Sequence, residues 1–103
     1  MLNDLKVDAN GNMSVITPAD GVSYTRAELQ SHCGGGIRLF PTEKHFIIVN
    51  IDGDMLLLPF NGIATSWLID AKHNANARGT ALLVHKENID LPKVLDRVEV
   101  SEE

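Results

Sequence analysis

Four histidines, His32, His45, His73 and His85, and a single cysteine, Cys33, are the side chains best suited to metal or nucleophilic chemistry. A catalytic metal needs three convergent ligands, and a nucleophile needs an activating base within hydrogen-bond reach. No HxxxH or HExxH spacing is present, so the local sequence implies no metal site. Cys33 falls at the C-terminus of an expected helix, where the macrodipole opposes a thiolate, and His32 beside it projects around the helix away from the thiol. An inert thiol is the expectation. Asp52 and Asp54 flank Gly53 as a carboxylate pair for calcium would, but the later ligands of a calcium loop, including the closing glutamate, do not follow. Gly34-Gly35-Gly36 comes after a helix rather than before one, and no Gly-Lys-Ser/Thr follows, so it reads as a helix stop and not a phosphate cradle.

What remains for ligand binding is a short set: Pro59, Asn61, Trp67 and Arg38. Trp67, the only tryptophan, suits stacking on a base or ring, but it shares a helical stripe with Ile63 and Ala64, which favours core packing. Asn61 can offer its amide to a ligand or cap the helix that carries Trp67, and the cap is favoured. No cofactor and no catalytic constellation is spelled out.

The elements that must position these residues follow from periodicity and turn chemistry. Asn10-Gly11 between the weak alternation of Leu5, Val7 and Ala9 and residues 13–17 signals a hairpin, closed by Pro18 and Asp20-Gly21. Thr25-Arg26-Ala27-Glu28 fits a capping box opening a helix over residues 26–33, with Gly34 as its left-handed stop. Residues 37–40 form a short strand ended by Pro41. Residues 45–51 form the clearest strand, expected to turn through Asp52-Gly53 into a second hairpin strand over 54–58. Pro59 ends it, Asn61 caps a helix over 62–68, residues 70–78 form a loop and residues 79–85 the last strand. Asp90 and Pro92 resemble a helix start, after which Leu91, Val94, Leu95 and Val98 would share a face. The fold class is α+β: a mostly antiparallel five- to six-stranded sheet with two short helices and room for a C-terminal one.

Composition sets the limits. The 103 residues suit a single domain, with its core at about 13–86 and an acidic tail at 87–103. Apolar residues make up 44% and charged residues 22%, which argues against disorder, and no run approaches the length of a membrane span. The net charge is −5; residues 87–103 hold six acids against Lys93 and Arg97, leaving −1 for the rest. The nine Lys and Arg residues are scattered, so no groove for nucleic acid is expected. The terminal acids read as a solubilising, frayed end. One cysteine permits no internal disulfide, and the first residues show no basic patch followed by an apolar run, so a cytoplasmic setting is expected.

Taken in order, Glu28-Leu29-Gln30, Gly34-Gly35-Gly36-Ile37, Asn50-Ile51-Asp52-Gly53, Leu58-Pro59-Phe60-Asn61 and Gly79-Thr80-Ala81-Leu82-Leu83 form a pattern over about residues 13–86. It resembles an uncharacterised family of small domains carried by phages, plasmids and integrative elements, domain of unknown function thirty-eight forty-six. Gly62 stands where that family often has a basic residue, so the resemblance implies no charged site at Asn61. It implies a mobile-element origin and a cytoplasmic setting, not a reaction.

The leading expectation is therefore a non-enzymatic binding or interaction protein of a phage or mobile element, acting on a host protein or a small nucleotide-like ligand to counter host defence. The alternative is a small enzyme or ligand-sequestering protein with its site near the turn at residues 58–61. Strands apolar on both faces, with two short helices to shield one of them, also lead us to expect a homodimer or a higher symmetric assembly, packed through the other face or joined edge to edge.

Overall fold

In the computed structural model the described residues are 3–94, together with the backbone of residues 99 and 100. The elements run β1 (Asp4–Val7), β2 (Met13–Ile16), α1 (Arg26–Cys33), β3 (Ile37–Pro41), β4 (His45–Asn50), α2 (Gly62–Asp70), β5 (Ala81–His85), a 3-10 turn (Lys86–Asn88), α3 (Leu91–Val94) and β6 (Glu99–Val100). The six strands form one sheet in the order β2-β1-β5-β4-β3-β6. Every pairing is antiparallel except that of β6 with β3. The α+β class and its mostly antiparallel sheet stand as read from the sequence.

Local chemistry explains the helix boundaries. Thr25 Oγ1 accepts the Glu28 amide at 3.1 Å while Glu28 Oε1 accepts the Thr25 amide at 2.8 Å, the reciprocal capping box. Gly34 ends α1 with φ of 82°, a conformation that a side chain would disfavour. The second helix ends without glycine. Lys72 takes φ of 70°, and the amides of Lys72 and His73 bond back to the carbonyls of Ile69 and Leu68 at 2.9 Å each.

The sheet buries both of its faces. Along β4, Phe46 and Ile48 face one way and join Tyr24, Leu29 and Cys33 of the α1 side, with Leu39, Leu82, Val84 and Val94. Ile47 and Val49 face the other way and join Ala64 and Leu68 of α2, with Val7, Phe40 and Ala81. This corrects the premise of the expected dimer. The two helices do not share one face; each takes its own, so no whole sheet face is left for a second copy.

Two further expectations change. Residues 54–58 are not a strand. Both edges of β4 are occupied, by β3 and β5, so no vacancy remains for a hairpin partner. The segment instead curls into a single helical turn, begun by Asn50 Oδ1 accepting the Asp52 amide at 2.8 Å. The acidic end is not wholly free either, since residues 99 and 100 pair with Arg38 and Leu39. Of the helix expected over 91–98, Leu91–Val94 is helical; residues 95–98 and 101–103 lie outside the described residues. Among the described residues no helix is long and apolar enough to cross a membrane.

Candidate functional site

The four residues singled out from the sequence do not come together. Asn61 is 1% exposed and its carboxamide is fully used. Oδ1 caps α2 by accepting the Ala64 amide at 3.0 Å, while Nδ2 donates to the carbonyls of Gly79 at 2.8 Å and Val7 at 3.2 Å. It has no group left to offer a ligand. Pro59 is exposed, and its carbonyl accepts the Gly79 amide at 2.7 Å. Trp67 packs half-buried against the α2-side core and walls a shallow groove of about 480 Å³ with Ile47, Leu83, Ala71, His45 and Lys44. Arg38 lies elsewhere, 4.8 Å above the Phe40 ring, lining a cleft of about 200 Å³ with Arg78, Asn50 and Asn76.

Beside that cleft stands the feature that the strand expectation concealed. Met55 is 82% exposed, Leu56 56%, Leu57 84% and Phe60 50%, a concentration of apolar side chains on one short loop. The loop is held rather than loose. The amide of Leu58 bonds to the Gly53 carbonyl at 2.9 Å and that of Leu57 to the Asp54 carbonyl at 3.1 Å, which closes the helical turn as a Schellman motif. Its left-handed position, normally a glycine, is Leu57 with φ of 55°. A leucine there costs about 1–2 kcal/mol of local strain. Arg78 clamps both ends of the turn, with Nε 2.9 Å from Asp54 Oδ1 and a guanidinium nitrogen donating to the Leu58 carbonyl at 3.0 Å. Gly53 packs so close that an added Cβ would lie 3.0 Å from the Arg78 Cβ. A rigid support therefore presents Met55, Leu56 and Leu57 to solvent.

A second polar centre sits at the opposite end of β5. Asp4, 1% exposed, accepts four hydrogen bonds. Oδ1 takes the backbone amide and Nδ1 of His85, each at 2.8 Å, and Oδ2 takes the Tyr24 hydroxyl at 2.7 Å and the Asn88 amide at 2.8 Å. One carboxylate thus ties β1 to β5, to the 3-10 turn and to the segment before α1. Burial, and then the bond to Asp4, push the Tyr24 phenol well above its usual range. His45 lies across from His85 with ring centroids 4.3 Å apart, and burial, followed by the nearness of the second imidazole, holds it below the usual imidazole range.

The remaining candidates are structural. His73 Nε2 donates to the Pro41 carbonyl at 2.7 Å, and the ring sits edge-on to Phe40. Cys33 is buried near the Ile48 carbonyl, and burial pushes its thiol up to about 12, as the inert-thiol reading expects. Among the described residues no group of three or more His, Cys, Asp or Glu side chains is placed to hold a metal ion. The Arg78 clamp and the Asp4 centre were both missed in the sequence, where no motif marks them. Comparison with protein-family models, with curated proteins and with solved structures finds no match to this chain.

Proposed function

We propose that the chain is a non-enzymatic interaction protein of a phage or mobile element that docks on a host protein through Met55, Leu56 and Leu57. The observation that carries this reading is the exposure of those three side chains on a turn clamped by Arg78. Soluble proteins seldom present neighbouring large apolar groups to water without a use for them, and pre-ordered anchors bind with little entropic cost. The strained φ of Leu57 fits the same reading, because backbone strain is kept where the presented geometry matters. The resemblance noted above supports the mobile-element setting, in which a host-defence protein is the partner class. The alternative of an enzyme or ligand-sequestering site at residues 58–61 has less support, since Asn61, the only polar side chain of that turn, is committed to α2 and to the Val7 and Gly79 carbonyls.

Affinity capture from host extract tests the proposal, using the parent chain, a Met55→Asp/Leu57→Asp double variant, and Ile69→Asp as a control on another exposed apolar residue. Loss of two central anchors should cost at least about 2 kcal/mol of binding, roughly thirtyfold. A host protein retained by the parent and by Ile69→Asp but lost from the folded double variant is the expected result. Undiminished retention by the double variant would overturn it.

A further inference from the structure

We propose that His45 and His85 form a binding site for a borderline divalent metal ion of the zinc, nickel and copper class, with Asp4 orienting His85 from behind. The site stands apart from the apolar loop and does not rest on the reading given to it. The antiparallel pairing of β4 with β5 sets His45 directly opposite His85. Directly opposed side chains on neighbouring strands begin about 5 Å apart at Cβ, a spacing that lets two imidazoles share an ion. Their ring centroids are 4.3 Å apart.

The hydrogen bonding leaves the correct atoms available. Asp4 accepts from four donors, so the 2.8 Å contact with His85 places the imidazole proton on Nδ1. The Nε2 lone pair of His85 is then the one presented. This is the arrangement of metal-ligating histidines, which characteristically donate their second ring nitrogen to a carboxylate. No hydrogen bond engages the ring nitrogens of His45 among the described residues. A cavity of about 400 Å³ on the His85 side of the pair, lined by Glu43, Lys44, Lys86 and Glu87, leaves room for coordinating waters. Its two lysines and two glutamates balance in charge, and Glu43 also borders the groove that His45 lines. Imidazole donors select zinc, nickel and copper over magnesium and calcium, which prefer oxygen. Two imidazoles leave the further coordination positions to water. The forty-residue separation of His45 and His85 hides the pair from any spacing rule.

The test is calorimetric titration of the full chain with zinc ion alone, paired with nuclear magnetic resonance of the imidazole signals. The expected result is a single site, with His45 and His85 signals shifting and those of His32 and His73 unmoved. His45→Gln and His85→Gln should each weaken binding by about tenfold or more, since even outer partners of metal ligands act on that scale. His32→Gln should leave it unchanged. His85→Gln also strips a bond from buried Asp4, so His45→Gln, whose ring holds no other group in place, decides if that variant misfolds. Zinc binding undiminished in His45→Gln, the absence of a single-site isotherm, or shifts confined to His32 or His73 would each overturn the proposal.

Discussion

Removing the Asp4 carboxylate should be among the most damaging single changes available to this fold. Asp4→Ala leaves the Tyr24 hydroxyl, the Asn88 amide and two donors of His85 without their acceptor, at positions where Tyr24 and Asn88 are buried. Each stranded buried donor costs about 1–3 kcal/mol, and breaking one member of a buried charged cluster costs about 3–5 kcal/mol in total. Water entering the vacated space recovers part of the sum, so the expected loss is about 3–5 kcal/mol out of the 5–15 kcal/mol of a typical domain. Asp4→Asn is the sharper perturbation, because it keeps the shape. Each carboxylate oxygen holds two donors, so whichever becomes an amide nitrogen confronts two donors with donors of its own. About 2–4 kcal/mol should still be lost. Urea denaturation of both variants and the parent, read with a common slope, measures the difference. An Asp4→Asn midpoint within about 0.5 kcal/mol of the parent would refute the view that one carboxylate ties four segments together.

Three other outcomes follow from the same geometry. Asn61→Ala should cost about 2 kcal/mol in thermal or chemical denaturation, the upper end for an N-cap, because two carbonyl bonds go with the cap. Burial, and then the Lys6 charge, lower the proton affinity of folded His32, so the unfolded chain binds more protons as pH falls through the ordinary histidine range near 6.5. Stability contributed by neutral His32 is therefore present above that range and lost as pH falls towards the depressed folded value, and His32→Gln should flatten the slope of stability against pH there. Native Cys33 should resist alkylation at neutral pH and react only after unfolding, since its thiol is buried and pushed up to about 12.

The parts of the fold that were legible in the sequence are those written within a few residues of one another. The Thr25 and Glu28 capping box, the Gly34 stop, the Asn61 cap and the alternation of Phe46 to Val49 each depend on local spacing, and each is found in the structure. The parts that were not legible depend on which strand lies beside which. Residues 54–58 have a strand's composition but no free edge of β4 to join. The partners of Asp4 lie 20, 81 and 84 residues away, and Arg78 reaches Leu58 across 20 residues, distances set by topology and not by pattern. Leu57 at a left-handed position has no glycine to announce it.

Placing a photo-reactive benzophenone amino acid at position 57, and at exposed Lys72 as the control, tests the docking loop most directly. Irradiated in host cells, the chain carrying it at position 57 should form one discrete adduct with a host protein, and the chain carrying it at position 72 should form none. An adduct of the 11.3 kDa chain with a second copy of itself, or equal labelling from both positions, would contradict the assignment of Met55, Leu56 and Leu57 as the contact surface for a host partner.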